Sequence, residues 1–117
     1  MGYRYAEASE IEPWGTMRRV RRELGVTAFG VNQHELPPDW GDYPEHDETD
    51  TGHEEVYACV AGGGFIVVDG ERVPLGSGAY VLVDPESRRK LVAGPDGLTC
   101  IVIGAAARDR HEGRDTL

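Results

Sequence analysis

The sequence predicts an all-β sandwich or small barrel with one short helical turn near its start. Sixteen glycines and seven prolines cut the 117 residues into short segments, which suits turn-rich strands better than helices. From Glu55 onward, strand-like runs follow one another closely: EVYACV, FIVV, ERVPL, AYVLV, a run around Arg89–Val92, and LTCIVIGA. Turn signals separate them at Gly62–Gly64, Asp69-Gly70, Gly76-Ser77-Gly78, Asp84-Pro85 and Gly94-Pro95-Asp96-Gly97. An Asp-Gly pair between apolar runs is the strongest of these, because both central positions of the tight hairpin turn need positive φ.

Ahead of the strands, residues 1–16 are polar and irregular and read as an arm or edge strand. In Met17–Leu24, Met17, Val20 and Leu24 fall at helical spacing, with arginines on the outer face and Gly25 as the stop. Val26–Gln33 is β-branched and aromatic and reads as a strand, closed by Leu36-Pro37-Pro38 because proline cannot donate to a ladder. Residues 39–54 form a loop rich in Asp, Glu, Gly and Pro, long enough to suggest a functional role. The expected organisation is an N-terminal arm and short helix over 1–25, a barrel over 26–104 and a polar tail over 105–117.

The net charge of −9, from 12 basic and 21 acidic residues, argues against nucleic acid and anionic membranes as partners, since both demand a basic face. No apolar run approaches the ~18 residues of a membrane span, and the N-terminus lacks the apolar core of a secretory signal. Cys59 and Cys100 each sit inside an apolar strand-like run and read as small buried hydrophobes, with a pairing between them left open. A reducing, cytoplasmic setting is the expectation.

The stretch that bears on function is Glu45–Glu55, EHDETDTGHEE, with six acidic residues, two histidines and no Lys or Arg. Carboxylates this dense repel one another unless water solvates them or a cation neutralises them. Glu55 stands apart from the other acids because it opens an apolar strand, so burial of its carboxylate would require a partner. Strand alternation puts Tyr57 and Cys59 on its side, with Val56, Ala58 and Val60 opposite. Asn32 and His34 share a parity near the end of the earlier strand and are candidates for the same cavity. Trp14 and Trp40 are candidates to cover a barrel end. No Gly-rich phosphate loop, nucleophile elbow, CxxC pair or HExxH motif is present.

The run EEVYACVAGG, followed by VVDGERVPLGSGAYVLVDP, resembles the cupin superfamily over roughly residues 26–104. That resemblance implies a double-stranded β-helix, or jelly-roll barrel, with a ligand site in its mouth. Glu55 fits the glutamate of the first cupin motif, with Gly62 following after six residues, and His46 takes the first histidine slot. Glu48 stands where a second histidine is usual, and the later histidine slot falls at about Arg89. The resemblance implies two alternatives. In one, His46, Glu48 and Glu55 hold a divalent metal (Fe, Mn, Ni or Zn), with Asp50 and His53 as spare donors. In the other, Arg89 stands where the metal would be, pairs with Glu55 or clamps an anionic ligand, and leaves Glu55 as general base. Tyr57, His46, Asn32 and His34 are the expected ligand contacts, the ligand a small anionic organic molecule, and the assembly a homodimer paired through sheet edges and an arm. A non-catalytic binding or sensor module is the rival from another class.

Overall fold

The computed structural model describes residues 2–107. The expected all-β jelly roll is what forms, with one short helix. A 3₁₀ turn at Ala8–Glu10 leads into a small hairpin of β1 (Pro13–Trp14) and β2 (Met17–Arg18), then α1 (Val20–Leu24). Next come β3 (Gly30–Leu36), the long β4 (His53–Val68), β5 (Glu71–Gly76), β6 (Tyr80–Val83) and the long β7 (Arg89–Ala106). No helix among the described residues is long and apolar enough to cross a membrane.

All pairings are antiparallel, and β4 and β7 organise them. The first half of β4 pairs β6 on one side and the second half of β7 on the other, and β3 and β2 extend that sheet. The second half of β4 pairs β5 and the first half of β7 to form the opposite sheet. Both long strands therefore run through both sheets. The core lies between the sheets and includes Tyr57, Ile66, Leu75, Val83, Leu91, Leu98 and Cys100.

Several sequence expectations shift. Gly62–Gly64 is not a turn between two strands but a bulged bend inside the continuous β4. A Cβ on Gly62 would stand 2.1 Å from the Gly97 carbonyl oxygen, and one on Gly64 would stand 2.1 Å from that of Val92. The glycines let β4 and β7 pass almost in contact where they change sheets. Gly94–Gly97 likewise does not divide β7: Gly62 pairs Leu98 and Gly64 pairs Ala93, so the intervening residues bulge out opposite Gly63. The strand expected at Val26–Gln33 begins at Gly30, because the Val26 and Gly25 amides both donate to the Arg21 carbonyl and close α1. Met17 and Arg18 pair with His34 and Gln33 as β2 and so are lost to the helix. The loop ends at Gly52, since His53 and Glu54 already pair with β7. Ala105 and Ala106 belong to β7 rather than to the expected tail, most of which lies outside the described residues. Cys59 and Cys100 are cross-strand neighbours, and both are free, buried thiols.

The outer face of the larger sheet carries an apolar patch, edged by the exposed Glu54 and by Gln33. Val56 pairs Leu82 and Ile103, Ala58 pairs Tyr80 and Ile101, and Val31 pairs Ile103. Directly opposed residues share a face, and this one points away from the inward Tyr57 and Cys59. Tyr80, Leu82, Val60 and Ile103 on it are all exposed.

Candidate functional site

A cavity of about 1360 Å³ occupies the mouth of the barrel, and its lining includes Glu55, Tyr57, His46, Asn32 and His34. The β period places them. Glu55 and Tyr57 are two residues apart on β4, and Asn32 and His34 are two apart on β3, so each pair projects to the inner face. Glu55 lies opposite Gly104 of β7, where a Cβ would sit 2.9 Å from Glu55 Cγ. The missing side chain at 104 is what leaves room for the glutamate to lie against the sheet.

Tyr57 donates its hydroxyl to Glu55 Oε1 at 2.9 Å. Burial pushes the Tyr57 phenol well above the ordinary tyrosine range, with Tyr43 and Glu55 adding to it. The Tyr43 phenol is also pushed up, by burial first and then by Glu55. Both rings are therefore proton donors at neutral pH. Burial, then the nearby His46, lowers the His34 pKa to about 4, so that imidazole is neutral. Its Nδ1 lies 3.3 Å from Thr16 Oγ1, and its ring meets Tyr43 edge-on at 5.2 Å.

The acidic run is neutralised in part from within the chain. Arg88 and Arg89 are neighbours on the approach to and start of β7, and they meet three of its six carboxylates. Arg88 Nε donates to Glu45 Oε2 at 3.0 Å, and its Nη1 lies 3.9 Å from Asp47. Arg89 is fully buried, with Nε 4.0 Å from Glu55 Oε1 and Nη2 donating to the Asp84 carbonyl at 3.0 Å. His46 exchanges two backbone hydrogen bonds with Arg89, at 3.0 and 2.8 Å. The His46 Nδ1 donates to the Pro44 carbonyl at 3.0 Å, which leaves Nε2 facing Glu48 Oε2 at 3.4 Å. The other Glu48 oxygen accepts from Thr51 Oγ1 at 3.1 Å.

His46, Glu48 and Glu55 each offer a ligand atom, and these atoms lie within 4.8 Å of one another. Asp50 and His53 do not join the group. The donors converge on a candidate divalent-cation site, which the Arg89 guanidinium opposes from behind Glu55. The Arg89 guanidinium already backs the Glu55 carboxylate, and its buried Nε and Nη1 have no hydrogen-bond acceptor. A guanidinium cannot ligate or lose its proton, so Arg89 permanently offsets one of the two carboxylate charges and weakens the hold on a second cation.

The structure brings Glu55, Tyr57, His46, Asn32 and His34 to one cavity, with Glu48 beside His46. It does not bring Arg89 to the cavity wall. The expected two-pronged grip on an anionic ligand is thus not formed: the side chain is spent beneath Glu55 and on the Asp84 carbonyl. The wall itself carries Glu35, Asp42 and Glu55 against Arg21, a balance that does not favour an anion. Sequence reasoning missed Tyr43 and Gly104. Tyr43 carried no strand period inside a long loop, whereas the glycine inside VIGAA was a readable hint of close approach. Trp14 and Trp40, expected at a barrel end, both line the cavity, and Trp40 Nε1 is a buried donor without an acceptor.

No family model matches the chain, and no curated protein matches it by sequence. Solved structures do. A cupin protein from Bacteroides fragilis superposes with a TM-score of 0.78 at 22% identity, covering 100% of this chain and 99% of its own. Pac13, a nucleoside dehydratase, matches with a TM-score of 0.71 at 17% identity over 93% of this chain and 86% of its own; a Streptomyces Pac13 variant with uridine gives 0.70 at 16%, with the same coverage. A sugar phosphate isomerase of the cupin superfamily from Silicibacter pomeroyi matches with a TM-score of 0.63 at 19% identity, over 78% of this chain and 59% of that one. The jelly roll, its mouth cavity and these superpositions agree: the chain has the cupin fold.

Proposed function

We propose that the protein binds a small, polar, uncharged organic molecule in the barrel mouth and moves a proton on it, with Glu55 as general base. One observation carries this reading: the Glu55 carboxylate opens onto the cavity while Tyr57 holds its Oε1 at 2.9 Å. Oε2 has no hydrogen-bond donor among the described residues and is the oxygen free to take a proton. Tyr57 spends its one proton on Oε1, while the Tyr43 phenol and the neutral His34 imidazole line the same cavity as donors for an oxygen that gains charge as the proton leaves. The aromatic walls of Trp14, Trp40 and Tyr43 suit a ring, and Asn32 can hydrogen-bond to its polar edge. Dehydration and isomerisation, the activities named for two proteins of this fold, both turn on proton transfer. That supports the class of chemistry without choosing a substrate.

A thermal-shift screen with nucleosides, free sugars and small carboxylates tests the reading. Neutral ring compounds should raise the melting temperature, and carboxylates should not. With a hit in hand, Glu55→Gln should lower turnover by about 100-fold or more while leaving binding within a few-fold. Shifts that persist unchanged in both Glu55→Gln and Asn32→Ala would place the ligand elsewhere and overturn the assignment.

A further inference from the structure

We propose that Arg89 is a built-in cation standing in for a divalent metal, so that the His46–Glu48–Glu55 cluster works metal-free and becomes a metal site once that charge is removed. This rests on the reading of Glu55 as the working carboxylate and adds how its charge is held.

The argument starts from the charge of the site. Glu48 and Glu55 bring two negative charges to a cluster whose donor atoms lie within 4.8 Å. Water does not fully solvate them: their side chains are only 20% and 16% exposed. A cation must be close, and the chain supplies one. Arg89 has 0% of its side chain exposed, and its Nε lies 4.0 Å from Glu55 Oε1. A fully buried guanidinium is costly unless its charge is matched, so its survival here requires a carboxylate partner, and among the described residues Glu55 is the one within ion-pair range.

Two further features tie Arg89 to the cluster rather than to general packing. Its backbone pairs with that of His46 through two hydrogen bonds, so imidazole and guanidinium are positioned by one element of structure. Among the described residues its Nε and Nη1 have no acceptor, whereas the adjacent, exposed Arg88 is engaged with Glu45 and Asp47. The Arg89 Nε faces Glu55 at ion-pair distance instead. An arginine does this task differently from a metal. Its charge does not depend on metal supply, it cannot exchange, and it offers no open coordination position. Arg89 is thus a positioning residue that acts through Glu55.

The test is a titration of the purified protein with Zn²⁺ and with Mn²⁺, followed by calorimetry and by metal analysis after dialysis, on the parent, Arg89→His and Arg89→Met. The parent should take up no stoichiometric metal. Arg89→His, which removes the charge and adds a donor, should bind one equivalent at least about 100-fold more tightly than the parent, the scale on which one charge at this distance moves an ionic equilibrium. Arg89→Met, which fills the volume without a charge, should fall between them. Adding His46→Ala to Arg89→His should abolish the uptake. One equivalent bound by the parent and lost in His46→Ala would overturn the proposal. So would cooperative folding of both variants with no gain in uptake. Should neither variant fold, the parent titration decides alone, since stoichiometric uptake there excludes a metal-free cluster. Ligand-induced melting shifts are measured on the same parent protein, so failure here leaves the small-molecule reading standing or falling on its own evidence.

Discussion

At the scale of single residues, the site depends on how closely Glu55 lies against β7. Gly104→Ala would put a Cβ 2.9 Å from Glu55 Cγ and 3.3 Å from its Oε2, in a backbone conformation that alanine can adopt. We expect a stability cost of about 1 kcal/mol and a loss of at least about tenfold in Glu55-dependent turnover, because small displacements of a reacting group are expensive. Melting curves together with kinetics check this, and full activity in the variant would count against the close fit. His34 gives a pH signature. Its pKa falls from 6.5 to about 4 on folding, through burial first and the nearby His46 second. Between those values the unfolded chain holds the proton and the folded chain refuses it, so stability falls as pH drops through that window and levels off below it. The size is up to about 3 kcal/mol. Wild type should therefore lose more melting temperature than His34→Gln between neutral pH and the lower end of the window, and identical losses would refute the assignment. The sequence made Glu55 and Tyr57 legible because a carboxylate inside an apolar, period-two run demands an explanation. It gave a pairing partner for Glu55 in Arg89, yet not the place of that guanidinium behind the wall, which depends on backbone pairing between residues 43 apart in the chain.

At the scale of elements, β4 and β7 carry the architecture, and their glycines permit it. Gly64→Ala would drive a Cβ to 2.1 Å from the Val92 carbonyl oxygen, a backbone clash that no rotamer can relieve. We expect a loss of about 3 kcal/mol or more, measurable by chemical denaturation; a near-neutral result would mean that the two strands do not cross this tightly. The same strands bury Cys59 and Cys100 side by side. Burial first, then Cys59, pushes the Cys100 thiol up to about 12, and burial also raises Cys59. Neither thiol should react with a disulfide reagent at mildly alkaline pH until the protein is unfolded, and rapid native labelling of either would contradict their placement. The existence and order of the strands could be read from the chain because apolar runs and turn residues are local signals. Their continuity could not. A glycine cluster looks the same whether it reverses a strand or lets one strand graze another, and only the partner strand decides.

At the scale of the whole molecule, the polarity of the larger sheet is partly inverted, with a glutamate inside and Val60, Tyr80, Leu82 and Ile103 exposed outside. A sheet that met water on this face would alternate the other way, and contiguous apolar surface of this kind usually marks an interface. The homodimer expected from the sequence should therefore meet through this apolar patch, with Glu54 left at its edge, rather than through the arm. Sedimentation should give the mass of two chains, and Leu82→Glu should give that of one; a monomeric parent would refute this. The sharing of β4 and β7 by both sheets has a last consequence. Two walls made from the same two ribbons are tied against swinging apart like jaws. Adjustment to a guest then falls to the lining outside those ribbons: the loop that carries Trp40, Tyr43 and His46, and the short Pro13–Arg18 hairpin, held to its neighbour by two residue pairs.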